Sequence, residues 1–343
     1  MATERNPFDT IPEEVGNVIT MPVEEDMGPT FEVDPEDGGV IVDFSENIEM
    51  EASESIAEWF GDMSEILEEN ELQDIASNVI ESYQADKDSR AEWESMFERG
   101  FDLLGLKLEQ GSEPFEGACT AVHPLLIESA VKFQSKASGE LFPSSGPIKA
   151  QILGKSTTEK ELQANRVQNF MNYQVTEQMP EYFDEFERML FHLPIIGSAF
   201  KKLYYDATTK RPKSEFIPID QFYVSYYATD LSNADRYTHV IYRSPVEMAR
   251  DINAGVYQDV DLPEPYANDI TTFAEKMDTI IGLSPSSDND PQYVLLEQHC
   301  YLDIEGEEFP LPYIVTVESQ SRQILSIRRN YKQDDPNKEK VNH

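Results

Sequence analysis

Basic residues are scarce in this chain and cysteine is nearly absent. Only 27 Lys and Arg stand against 66 Asp and Glu, for a formal net charge of −39. A surface this negative repels a nucleic-acid backbone, since grip on DNA depends on Lys and Arg displacing counterions from phosphates. That weighs against an enzyme that holds DNA. The two cysteines, Cys119 and Cys300, lie far apart and form no metal-ligand spacing, so reduced, buried thiols are expected. No apolar run approaches the ~18 residues that span a bilayer. The N-terminus has neither a positive n-region nor an apolar h-region, so no secretory signal is expected. A soluble chain made in a cytoplasm, with no membrane partner, follows as the expectation.

Catalytic patterns are also missing. ILGKST (152–157) sits where a phosphate-binding loop would, but that loop needs a glycine at the position held by Lys149. Gly154–Thr157 is better read as a turn with a helix cap. The histidines at 123, 192, 239, 299 and 343 show no spacing that would place metal ligands on one face. His239 reads as a packed or interfacial residue. The acidic YLDIEGEEF segment is too short for a calcium loop and reads as a hairpin turn. There is no Gly-x-Ser-x-Gly elbow. No catalytic residue, cofactor or metal is predicted.

What is present is a strong change of character along the chain. Residues 1–70 hold 21 acidic side chains and one base, Arg5, leaving −19 for the remaining 273. Residues 1–52 read as an acidic, disordered or extended arm whose local apolar cluster is Ile41, Val42 and Phe44. Helices are expected from Ser53, carrying Ile56, Trp59, Phe60, Met63, Ile66 and Leu67 at helical spacing, and again over 72–104 with a polar break at 86–90. After a loop at 111–117, Thr120 caps a helix over 121–141 whose face includes Leu125, Leu126, Val131 and Leu141. The loop FPSSGP ends it. A strand at 148–153 is followed by a helix over 158–179 with Val167, Phe170, Met171, Val175 and Met179 inward, and by another at 181–191.

The period then changes from helix to strand. Residues 199–205 and 213–218 flank a polar turn as a hairpin, 221–226 and 236–243 are strands, and 245–254 is a short helix. A loop-rich stretch, 255–292, contains one helix near 268–281. A β-meander occupies 293–330, and 331–343 is a polar tail. The predicted class is α+β, with a helical N-terminal half followed by mixed short-stranded sheets and hairpins.

Bases concentrate at two places. Lys201, Lys202, Lys210, Arg211 and Lys213 bracket the hairpin tip, and Arg328 and Arg329 end the last strand. They read as solvated charge, as DNA contacts, or as contacts to acidic surfaces of a neighbouring subunit. Of the two functional readings subunit contact is preferred, because a ring of acidic chains needs bases to offset repulsion. The aromatics Phe222, Tyr223, Tyr226, Tyr227, Tyr237 and Tyr242 have acidic or neutral neighbours and read as packing rather than base stacking.

The order of these blocks carries a resemblance. PFEGACTAVHPLLIESAVKFQSKASGELFPSSGPIKAQILG, then MNYQVTEQMPEYFDEFERMLFHLPIIGSAFKKLYYD, then FIPIDQFYVSYYATDLSNADRYTHVIYRS resembles the portal (head–tail connector) proteins of podovirus-like tailed bacteriophages. The resemblance implies a wing-like α+β domain at 53–254 and a meander leading toward stem and clip. It further implies a non-enzymatic ring of about a dozen copies at one capsid vertex of the virion. Its implied partners are the terminase motor, the major capsid and scaffold proteins, tail adaptors, and double-stranded DNA passing through without sequence-specific binding. A negative wall suits such a channel. The chain stops where stem and crown sequence is expected, which points to a fragment, a truncated gene or a split portal. An acidic scaffold or head–tail adaptor is the alternative reading, and a packaging NTPase or nuclease a weaker one.

Overall fold

In the computed structural model the described residues are 30–33, 40–43, 59–104, 123–265 (apart from 153, 207 and 208), 276 and 291–340 (apart from 305, 307, 308, 334, 336 and 337). The expected loop at 111–117, the Thr120 cap, Phe44, Ile56, Cys119 and nearly all of the helix near 268–281 lie outside them. The chain divides into two compact units, Met1–Glu58 and Trp59–His343. In the first, β1 (Thr30–Val33) pairs antiparallel with β2 (Val40–Asp43), with Phe31 opposite Val42 and Glu32 opposite Ile41.

The second unit is built on a 36-residue helix, α1 (Glu69–Leu104), about 54 Å long at the usual rise. Glu69 and Glu71 in its first turn suit the positive end of the helix dipole. Leu72, Ile75, Ala76, Val79, Ile80 and Tyr83 recur at three- and four-residue spacing and form the face packed into the main core. The polar stretch 86–90, expected as a break, stays helical. Asp86 is buried and accepts two bonds from Arg236, at 2.9 and 2.8 Å. Arg90 donates to the carbonyls of Ile219 and Phe222. These residues are polar because they fasten the helix to the sheet.

That sheet has five antiparallel strands in the order β5 (Phe222–Val224), β6 (Tyr237–Arg243), β7 (Tyr293–Leu302), β8 (Leu311–Glu318) and β9 (Ile324–Arg329). Strands of the segment read as wing-like and the 293–330 meander therefore share one sheet. Alternate residues enter two cores. Val240, Leu296, Tyr313, Val315 and Val317 face α1. Ile241, Leu295 and Leu325 face the opposite way, onto Met248 of α5 (Pro245–Asn253) and Tyr257. Burial on both sides explains why β7 shows no clean alternation of polar and apolar residues. Ser244 and Glu247 form a capping box at the start of α5, with Pro245 in the first turn.

Residues 60–68, expected within a first helix, run instead as turns along the open edge of β9. Met63 N donates to Ile327 O at 2.8 Å, and the Asp62 carboxylate accepts from Ile327 N at 2.9 Å. Continuing the helix would have left those edge groups bare.

The remaining helices are α2 (Leu125–Leu141), α3 (Thr158–Tyr173) running into a π-helical turn (Gln174–Gln178), and α4 (Tyr182–Ile196). The helix α4 extends past the expected end at 191, includes Pro194, and closes on Gly197 in the left-handed conformation, whose N–H reaches Leu193 O at 2.8 Å. Its C-terminal end packs with that of α1 through Phe101 and Ile196. The hairpin β3 (Phe200–Asp206) and β4 (Arg211–Ile217) follows, with Lys202 opposite Glu215. The class is mixed α+β, with a helical N-terminal half and strands after it, as the sequence predicts. Among the described residues no helix is long and apolar enough to cross a membrane.

Candidate functional site

The seven bases singled out from sequence do not form one patch. Of these, only Lys210 is fully exposed, in the turn between β3 and β4 with a positive φ of 51°. Lys201 places its ammonium 3.7 Å from the Tyr182 ring centre and 4.6 Å from that of Phe186. Burial pushes its pKa down to about 8, against the pull of Glu185. Arg211 donates to both Glu181 carboxylate oxygens, at 2.8 and 2.7 Å, and to Gln178 O. Lys213 lies opposite Tyr204 across the hairpin. Arg328 donates to Val256 O at 2.9 Å. Arg329 donates to Trp59 O and stacks 4.3 Å over its ring. Most of the sequence-predicted contact residues therefore hold this chain's own elements together.

Lys202 does so most deeply. It reaches from β3 to Glu297 on β7, donating to the two carboxylate oxygens at 2.5 and 2.7 Å. His239 on β6 stands directly opposite Glu297, and Tyr237 opposite His299, so all four side chains share one sheet face. His299 Nε2 is 3.5 Å from the Glu297 carboxylate and His239 Nδ1 3.9 Å. The Tyr237 hydroxyl and His299 Nδ1 are 3.1 Å apart, with the rings stacked. Burial opposes the Glu297 charge, but Lys202 and then the histidines hold that carboxyl well below its ordinary range. Burial, reinforced by Lys202 and opposed by Glu297, pushes His239 down to about 3. Burial lowers His299 as well, again against Glu297. The result is one partly buried ion pair flanked by two neutral imidazoles.

This centre docks the hairpin onto the sheet, and both imidazoles are buried beneath it. Among the described residues no group of three or more His, Cys, Asp and Glu is placed to hold a metal ion. Gly154 and Thr157 form the expected turn and cap, with Thr157 accepting from Lys160 N at the start of α3. The strand expected at 148–153 is absent among its described residues. Asn172 instead brackets Ile148 from α3, accepting from its N–H at 2.9 Å and donating to its carbonyl at 3.0 Å, while Gln168 accepts from Ala150 N.

The surface that stands out is apolar. The helix α3 has no buried residue at all, and α2 buries only Ala130. Leu125 is 65 % exposed and Leu162 61 %, with Leu126, Val131, Phe133, Leu141, Val167 and Met171 also outward. Four of these, Leu125, Leu126, Val131 and Leu141, formed the expected face of α2, and Val167 and Met171 were expected inward. The residues 123–173 hold six basic against four acidic side chains, so this stretch is net positive in a chain of −39. Sequence periodicity finds such stripes but does not say whether anything in the same chain covers them. Tyr226 and Tyr227 are likewise exposed, whereas Phe222 and Tyr223 are core.

No protein-family model matches the chain, and no curated protein matches it either.

Proposed function

We propose that this chain is a portal-type structural subunit, assembling with copies of itself into a ring at one capsid vertex of a tailed phage. The observation that carries the reading is the exposed sides of α2 and α3: consecutive helices with outward Leu, Val, Phe and Met side chains that nothing among the described residues covers. Apolar patches of this kind on a folded protein mark interaction sites. Supporting it is the use made of charged groups around the sheet, which are spent on internal fastening rather than on a reacting centre. In this role the acidic body lines a path for double-stranded DNA, which passes without being gripped. The ring would dock the terminase motor, the major capsid and scaffold proteins and tail adaptors. No enzymatic step is assigned to it.

Native mass spectrometry of the purified chain, paired with negative-stain images, tests this. A closed ring of about a dozen copies is the expected result. A chain that remains monomeric at every concentration would sink the portal reading and leave the vertex-binding adaptor.

A further inference from the structure

Four polar side chains meet where the hairpin rests on the five-stranded sheet, and one of them is carried from outside it. Glu297 and His299 stand on β7 and His239 on β6, two strands paired along the whole of β6. Lys202 comes from β3. Its neighbour Lys201 points the other way, onto the rings of Tyr182 and Phe186 in α4, and Arg211 binds Glu181 at the start of that helix. The hairpin is therefore tied to α4 by groups that take no part in its contact with the sheet. Toward the sheet it presents the Lys202 ammonium and the Phe200 ring, which is 4.2 Å from that of Phe222.

Lys202 and Glu297 offset each other, and the two imidazoles beside them are neutral and buried. His239 Nδ1 has no hydrogen-bond partner among the described residues. Further along β6, Arg243 lies 3.3 Å from Asp251 and also feels Glu247. On the same hairpin face Glu215 stands opposite Lys202, and Lys213 opposite Tyr204. Tyr237 stacks on His299 and has the Lys340 ammonium 4.1 Å from its ring centre, while Tyr257 feels both Glu297 and Arg243. Opposite these side chains β5 offers Phe222, and β8 offers Ile314 and Thr316, none of them charged. A proton on each imidazole would set three cations around one carboxylate, and Lys202 is the one that can withdraw.

We infer that the hairpin is a proton-operated latch: protons taken up by His239 and His299 drive Lys202 off Glu297, and the hairpin lifts while the sheet beneath stays folded. This goes beyond the portal-type reading and does not depend on it. Once uncovered, an imidazole titrates near 6.5, whereas burial and Lys202 hold His239 at about 3 under the docked hairpin. Between pH 7 and pH 5 that difference alone favours the lifted form by roughly twentyfold, and His299 adds in the same direction. Glu297 contributes little over this range, because its carboxylate stays largely charged in both forms.

Methyl relaxation dispersion on the full chain reads the lifted form as a minor population. Leu203 and Ile217 report on the hairpin, Val315 and Val317 on the sheet. At pH 5 the hairpin methyls should exchange with a lifted form populated at least about tenfold more than at pH 7, with the β8 methyls unchanged. In His239→Gln with His299→Gln that rise should vanish. It should vanish in Lys202→Met as well, since a charged imidazole then has Glu297 to itself, and this second variant leaves both histidines in place. Absence of exchange at pH 5, a rise shared equally by β8, or a rise that survives in either variant would overturn the inference. Each of these results leaves the portal reading standing, because ring assembly is scored separately at neutral pH.

Discussion

The five-stranded sheet with α1 and the α2–α3 segment, both in the same unit, handle their side chains in opposite ways. In the sheet block several polar residues go inward and are matched: Asp86 with Arg236, Gln298 with Ser82 and Thr238, Lys202 with Glu297. In the α2–α3 segment apolar residues go outward, and nothing among the described residues matches them. A buried charge is tolerated only with a partner, so the first block is self-contained and is sensitive to loss of any one member. An outward apolar stripe costs a monomer little, because its side chains are already in water, and its value appears only on association. Stability is therefore concentrated in one block and exposed apolar surface in the other.

The widest separation between the two is expected from apolar truncation. Leu296 is fully buried between α1 and the sheet, and Leu296→Ala should cost about 3–4 kcal/mol from lost burial and the cavity left behind. Leu162→Ala on α3 should change monomer stability by less than about 0.5 kcal/mol. Denaturant melts of the two variants check this. Equal losses would mean that α3 is packed in solution, and the contrast would fail.

A somewhat smaller loss is expected at the ion pair. In Lys202→Met the Glu297 carboxylate keeps its place under the hairpin and loses its cation, at a cost of about 3 kcal/mol. A loss near zero would show the Glu297 side chain swinging to solvent. Replacing both partners with apolar residues should recover most of the loss, since the cost lies in the stranded charge.

The same centre sets a dependence on acid. His239 titrates at about 3 when folded, against about 6.5 in an unfolded chain. Between these values the unfolded chain holds the proton and the folded one does not, so stability falls as the pH drops below about 6.5. His299, also lowered, adds in the same direction. Glu297 does too, its contribution being present above the ordinary carboxylate range and lost as the pH falls through its depressed folded value. Lys202, Arg243, Glu297 and His299 are the charged or titratable neighbours acting on His239. Relief of repulsion in so acidic a chain works the other way, so the informative quantity is a difference. Wild type minus His239→Gln should slope by up to about 1.4 kcal/mol per pH unit between roughly pH 4 and 6. A flat difference would show that His239 takes up its proton without unfolding.

Much of the architecture was legible from periodicity: α1 beyond residue 72, the hairpin, and the meander all follow from the spacing of their apolar residues. The misreadings share one physical cause, a tertiary partner distant in sequence. Asp86 and Arg90 look like a helix break because Arg236 and the Ile219 and Phe222 carbonyls are far along the chain. Met63 has helical spacing, yet its N–H is taken by the edge of β9. Of the buried centre, Lys202 was visible as a charge and His239 as packed, while Glu297 and His299 offered only a polar alternation within a strand. Whether the bases face outward, and whether the stripes on α2 and α3 are covered, depends on the fold and has no periodic signature.

The smallest expected effect sharpens the comparison inside the helical block. The segment 146–150 lies against α3 without a strand partner, and Asn172 supplies both bonds to Ile148. Gly146, at a φ of 97°, lets the backbone pass so close that an added Cβ would meet the Asn172 amide at 2.6 Å. Asn172→Ala removes the pair of bonds and should cost about 1 kcal/mol, because both backbone groups of Ile148 remain near water and are resolvated. The global melt should hardly move. Amide exchange at Ile148 should instead speed up roughly fivefold, with the β7 and β8 amides unchanged, since this opening is local. Equal acceleration in the sheet would mean that the two blocks unfold as one, and the division between a stable body and a helical segment that opens by itself would have to be redrawn.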